Sequence, residues 1–190
     1  MSYNASIAVF CGGRPGVDPS FSVAAAELGR GIAKLGFRLV YGGGGAGIMG
    51  ALAEAALMAG GDVVGVIPEF FMMRESVNRR CTELIVTPNM HLRKRRMFDI
   101  ADAFVAMPGG LGTLDETFEM LTSRQLGLHD KPILICDVAG SAAPLLDAIS
   151  DLTRMGFVAA PERLFEAFPS IDALLTRLPA IWPQGLLEAP

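Results

Sequence analysis

The sequence predicts an α/β protein, a doubly wound parallel sheet in three α/β/α layers, folded as a single domain. Three observations carry that expectation. Six short runs are apolar almost throughout instead of alternating, the mark of strands covered on both faces. Helix-length stretches separate nearly all of them, so the repeating unit is strand, helix, strand, which closes into a parallel sheet with helices on either side. The 190 residues, 51% hydrophobic and 19% charged, suffice for one sizeable core and are few for two.

In chain order, residues 6–11 (Ser-Ile-Ala-Val-Phe-Cys) read as the first strand, and residues 19–35 as a helix capped by Asp18 with Pro19 at its first position. Residues 37–41 form the second strand, and a glycine-rich turn leads into a helix over 47–59. After the strand 62–67 the alternation lapses: residues 68–81 show neither strand nor clear helical period but carry Glu69, Arg74, Glu75, Arg79 and Arg80, a functional excursion. Strand 83–87, helix 90–101 and strand 103–107 follow, then a second glycine-rich turn, helix 114–126, strand 133–136 and helix 143–155. Beyond Phe157 one or two short helices are expected, with a Pro-rich tail from about 179 trailing over the surface or a partner subunit.

Both glycine-rich turns are candidate phosphate sites. The first contains a literal GxGxxG at Gly45, Gly47 and Gly50, with Glu69 about 20 residues on where a dinucleotide's ribose would need an acid. The competing reading is that these glycines only permit a tight turn and close packing. The second reads Pro108-Gly109-Gly110-Leu111-Gly112-Thr113-Leu114-Asp115-Glu116. Here Gly109, Gly110 and Gly112 free the backbone for anion contacts, Thr113 adds a hydroxyl, and a helix start adds its positive dipole end. No Walker lysine is present, which argues against triphosphate transfer. Thr113 and Glu116 also spell a capping box, so Glu116 reads equally as a cap partner and as a reactive carboxylate.

Between the turns lies Met90-His91-Leu92-Arg93-Lys94-Arg95-Arg96-Met97. Helical spacing sets Arg93 on the stripe of Met90, Met97 and Ile100, costly for a permanent cation unless an anion meets it. Arg93 and Lys94 are thus candidate ligand-binding residues or members of a structural ion pair, while Arg95 points to solvent. Sixteen Lys and Arg against 20 Asp and Glu, net charge −4, leave no global field to gather nucleic acid or an anionic membrane. Apolar runs fall far short of the ~20 residues that span a bilayer. The N-terminus lacks a signal-peptide pattern, and the odd set Cys11, Cys81 and Cys136 lacks metal-type spacing, so a cytoplasmic protein without a zinc site is expected.

With these residues in hand the sequence resembles the LONELY GUY family, cytokinin riboside 5′-monophosphate phosphoribohydrolases long labelled lysine decarboxylase-like. The resemblance spans residues 6–178. It rests on Phe10-Cys11-Gly12, Tyr41-Gly42-Gly43-Gly44 with Gly47-Ile48-Met49-Gly50, Val66-Ile67-Pro68, Met90-His91-x-Arg93-Lys94, Pro108-Gly109-Gly110-x-Gly112-Thr113-x-x-Glu116, and Gln125-Leu126-Gly127 with His129-Asp130-Lys131-Pro132. It implies a Rossmann-like homodimer, with larger assemblies open, that hydrolyses the N-glycosidic bond of a purine nucleoside 5′-monophosphate, a cytokinin riboside monophosphate or AMP, without metal or redox cofactor. It assigns Arg93 and Glu116 as the catalytic pair, Gly109, Gly110, Gly112 and Thr113 to phosphate, and Arg74, Glu75, Met90, Lys94 and Thr122 to the nucleotide. Gly13-Arg14-Pro15 departs from the serines common in the family, and Asp115 from a common glutamate. No lysine sits in a recognisable pyridoxal-phosphate setting. The rival reading is a molybdenum-cofactor carrier, which would use the glycine loops only to hold a phosphorylated pterin.

Overall fold

The structure, a computed structural model, describes residues 5–72 and 77–181. Seven strands form, all but the last built on apolar runs: β1 (Ser6–Phe10), β2 (Arg38–Tyr41), β3 (Val63–Pro68), β4 (Glu83–Thr87), β5 (Ala103–Ala106), β6 (Ile133–Cys136) and β7 (Glu166–Phe168). They pair in parallel throughout, in the order β4-β3-β2-β1-β5-β6-β7. Six helices complete the unit: α1 (Ser20–Lys34), α2 (Gly47–Met58), α3 (Met90–Ile100), α4 (Leu111–Gln125), α5 (Ala143–Arg154) and α6 (Ile171–Arg177).

Strand alternation divides the core into two layers. Ile7, Val9, Leu39 and Tyr41 face α1, α2 and α6, meeting Leu28, Ile32, Leu52 and Leu174. Ala8, Phe10, Val64 and Phe104 face α3, α4 and α5, meeting Met97, Met120, Leu121 and Ile149. The three-layer doubly wound expectation is therefore met. From β1 the sheet grows through β2, β3 and β4 to one side, and from β5 through β6 and β7 to the other. The crevice at the carboxyl ends of β1 and β5 is where such a sheet binds ligands. A backbone bond from Gly12 N–H to Pro108 O, 3.0 Å, ties the two loops there.

Local details follow from the sequence, with three corrections. Asp18 accepts from Ser20 N–H at 2.8 Å, which holds its carboxyl below the usual range. The helix after the second glycine turn begins at Leu111, not 114, because extended Gly110 serves as its N-cap and Gly110 O takes the first helical bond, from Leu114 N–H at 3.1 Å. The expected Thr113 capping box is therefore absent: Thr113 lies inside the helix. The second correction is β7, unseen in the sequence because its three residues are exposed or half-buried and carry no apolar run. The third concerns 68–81, where a 3-10 turn at Glu69–Phe71 is followed by an antiparallel bridge from Val77 to Gly44. Residues 178–181 form a 3-10 turn, and the expected tail beyond 181 lies outside the described residues.

His129 fastens α4 to the sheet. Its ring stands edge-on to Phe98 and Phe104, and Nε2–H donates to Met120 O at 3.0 Å. Burial, together with Arg124 and Lys131 nearby, lowers its pKa from 6.5 against the opposing pull of Asp130 and the Met120 bond. The neutral ring is the folded form, so its contribution to stability is full above pH 6.5 and declines as pH falls below it. Thermal unfolding should show the melting temperature dropping between pH 7.5 and 5.5, with a smaller drop in His129→Phe.

Candidate active site

A cavity of about 730 Å³ opens at the crevice between β1 and β5, within the ordinary size range of small-ligand sites. One wall is the 109–113 segment. A Cβ at Gly109 would collide with the Thr113 Oγ1, so only glycine lets that buried hydroxyl fold over the turn. Gly110 and Gly112 have open space where a side chain would be. The amides before Leu114 have no helical acceptor, and with the α4 dipole they form an anion cradle.

One turn along α4 from the cradle, about 5 Å, Glu116 is buried and ion-paired with Arg93. Arg93 reaches it from α3, whose first turn is fixed by Asn89 Oδ1 accepting from Leu92 N–H at 2.9 Å. The guanidinium also donates from Nε to Val66 O at 3.2 Å. A Cβ at Gly42 would collide with Arg93 Nη2, which explains one of the glycines after β2. Lys94 bridges α3 to α4 through Asp115 and Glu119, both 2.9 Å away; the Glu119 bond is the larger cause of an ammonium pKa above the ordinary lysine value. Cys11 lines the cavity too, but burial outweighs the nearby Arg93 charge and pushes its thiol up to about 12, far from a nucleophilic thiolate.

Among the residues expected from sequence, Met90, Arg93, Lys94, Gly109, Gly110, Gly112, Thr113 and Glu116 all line this one cavity. Thr122 does not: it is exposed farther along α4 and absent from the lining. Arg74 and Glu75 lie outside the described residues. In the GxGxxG at Gly45, Gly47 and Gly50, the last two glycines serve packing against backbone. Gly47 has φ +60°, a Cβ there would stand 2.5 Å from the Gly13 backbone, and the Met49 N–H at the α2 start already donates to Gly12 O at 3.1 Å. Glu69, the acid of the dinucleotide reading, is exposed and outside the cavity lining.

Sequence reasoning gave no role to Phe21, Phe71 and Ser141, which also line the cavity. The signal that could have found Ser141 is topological, since it follows a strand beside the point where strand order reverses. Its hydroxyl is shielded, without a partner among the described residues, and also borders a cavity of about 40 Å³ behind the 109–113 turn, room for a water but not a ligand. Among the described residues no group of three His, Cys, Asp or Glu side chains converges as a metal site, and no helix is long and apolar enough to cross a membrane.

A family model described as possible lysine decarboxylase matches residues 49–177. The chain is 47% identical over 154 residues to a cytokinin riboside 5′-monophosphate phosphoribohydrolase of Rhodococcoides fascians, covering 80% of this chain and 78% of that one. It is 39% identical over 179 residues to the cytokinin riboside 5′-monophosphate phosphoribohydrolase LOG of Oryza sativa subsp. japonica, covering 94% and 74%. Among solved structures, the molybdenum cofactor carrier protein of Chlamydomonas reinhardtii superposes with TM-score 0.69 at 21% identity over 93% of this chain and 96% of that one. The molybdenum cofactor binding protein of Rippkaea orientalis gives 0.71 at 23% over 95% and 98%. At those identities the likeness speaks for the fold alone.

The buried pair makes a stability prediction. Glu116→Ala strands a guanidinium and should cost about 3 kcal/mol in urea unfolding. Glu119→Ala, which removes a half-exposed partner of Lys94, should cost no more than about 1 kcal/mol. Equal costs would show that the Arg93 pair is screened like a surface one.

Proposed function

The chain belongs to the LONELY GUY family of cytokinin riboside 5′-monophosphate phosphoribohydrolases, and from that membership we propose that it hydrolyses the N-glycosidic bond of purine nucleoside 5′-monophosphates, cytokinin riboside monophosphates or AMP. The observation that carries the reading is the buried Arg93–Glu116 pair one helical turn beyond an anion cradle in the same cavity. With the 5′-phosphate on the 109–113 amides and Thr113, the ribose comes next, where Glu116 stands. The C1′–N9 bond breaks with its electron pair going to the base, and positive charge grows on the ribose. A carboxylate preorganised beside the ring stabilises that charge and orients the water that adds at C1′, giving free base and ribose 5-phosphate. Arg93 stays charged throughout, so its part is to hold Glu116 and grip ribose or phosphate oxygens. Asp115, exposed at the rim, and solvent are the candidates for protonating the leaving base.

Two other readings are weaker. A carrier has no use for a buried carboxylate beside its cradle, and the molybdenum-cofactor proteins resemble this chain in fold only. A decarboxylase needs an uncharged lysine for its cofactor, whereas Lys94, the one lysine lining the cavity among the described residues, is held charged by Glu119 and Asp115.

The active unit in this reading is a homodimer, with larger assemblies left open. Leu111 (85% exposed), Leu114 (36%) and Phe118 (38%) form an apolar stripe along α4 at helical spacing. Thr122 continues that stripe, so a role for it in nucleotide binding requires the partner subunit. The three unpaired cysteines suit the expected cytoplasmic setting.

Incubating the purified chain with AMP, N6-isopentenyladenosine 5′-monophosphate and the two nucleosides, with chromatography of the free base, tests the reaction. Monophosphates should be cleaved, and nucleosides with a kcat/KM at least about 100-fold lower, since nucleosides forgo the binding energy of the phosphate. Equal turnover of adenosine and AMP contradicts the reading. Glu116→Gln should lower kcat by roughly 10²–10³ while still binding substrate. Light scattering should give a dimer mass that Phe118→Lys reduces to a monomer; a fully active wild-type monomer rules the dimer out.

A further inference from the structure

The positive charge in the cavity is unevenly committed. Arg93 is neutralised by Glu116, and Lys94 by Asp115 and Glu119. Arg14, on the loop after β1, lines the same cavity, is exposed, and has no hydrogen-bond or ion-pair partner among the described residues. A phosphate monoester carries about 1.5 to 2 negative charges at neutral pH, while a helix N-terminus offers roughly half a positive charge. The cradle alone leaves most of that charge unmatched.

The loop carrying Arg14 is held against the cradle from two sides. Gly12 N–H donates to Pro108 O at 3.0 Å, and a Cβ on Gly12 would stand 3.4 Å from Gly109 Cα. On the other side Gly12 O accepts from Met49 N–H at 3.1 Å, while Gly47 packs on the Gly13 backbone. The backbone beneath Arg14 is thereby fixed beside the 109–113 turn while its side chain stays uncommitted.

We propose that Arg14 is a specificity-determining residue, the guanidinium that grips the phosphate seated on the 109–113 turn and sets the preference for phosphorylated over unphosphorylated ligands. This rests on reading the cavity as a nucleotide site. A planar fork suits two oxygens of one phosphate, which a point-charge lysine matches less well. Because the phosphate does not react, losing this grip raises KM by a larger factor than it lowers kcat.

The test uses ribose 5-phosphate, which carries the phosphate and has no N-glycosidic bond, titrated by calorimetry into the wild-type chain, Arg14→Ala and Arg14→Lys. Arg14→Ala should weaken binding by about tenfold, with Arg14→Lys in between, and raise the KM for AMP in parallel. Arg14 is exposed on a loop, so an unchanged melting temperature verifies that both variants fold. Weakening of less than about fivefold in Arg14→Ala overturns the proposal, as does failure of the wild-type chain to bind ribose 5-phosphate. If the wild-type chain binds it but frees no base from any monophosphate, the hydrolase reading fails, while the Arg14 result stands on the binding data.

Discussion

A permanently charged guanidinium buried between two helices sets the terms for this structure. Arg93 cannot shed its proton, so its position at the start of α3 demands an anion, and Glu116 on α4 supplies it. The pair fixes how α3 and α4 lie on the same face of the sheet. Gly42 must lack a side chain for the guanidinium to pass, and Val66 O must face Nε from β3. Elements from β2 to α4 are thus tied to one contact that a pair of apolar side chains would make at lower desolvation cost. In the proposed reaction the pair's use is chemical. It holds a carboxylate in fixed orientation at a cavity wall, where orientation counts for more than fold stability.

The sheet's topology decides where that carboxylate can act. Strand order reverses between β1 and β5, and the Gly12–Pro108 bond closes the crevice there, so the loops after these strands and the start of α4 converge on one volume. Glu116 follows the anion cradle by one helical turn on α4, and Arg93 joins them from α3, a separate segment of the chain. In the proposed reaction a substrate pinned at one end by its phosphate presents its next ring to Glu116, which suits a site with an anion cradle and a carboxylate but no nucleophilic cysteine.

Much of this was legible in the sequence, for identifiable reasons. Strands covered on both faces leave unbroken apolar runs, so β1, β2, β3, β5 and β6 stand out, the edge strand β4 shows through its Leu-Ile-Val centre, and a cation on the apolar stripe of α3 announces a partner for Arg93. β7 gave no signal because three residues at a sheet edge can be exposed and still pair through their backbone. The α4 start carries no side-chain cap to read, because extended Gly110 and the bare amides after it begin the helix, and those amides are what an anion needs. The two glycine turns looked alike in composition. Only three-dimensional proximity separates them: at Gly47 the missing side chain makes room for another backbone, at Gly110 and Gly112 for open cavity. Thr122, assigned to the nucleotide by the family resemblance, stands on an exposed face of the single chain.

Whether Arg93 and Glu116 act as one unit is read out by a double-mutant cycle on kcat/KM for AMP. Arg93→Ala, Glu116→Gln and the double variant should lose activity non-additively, the double variant no worse than the poorer single one to within about threefold, because either change disables the same device. Losses that multiply across the cycle would contradict the account, assigning the two side chains independent roles at separate points of the substrate.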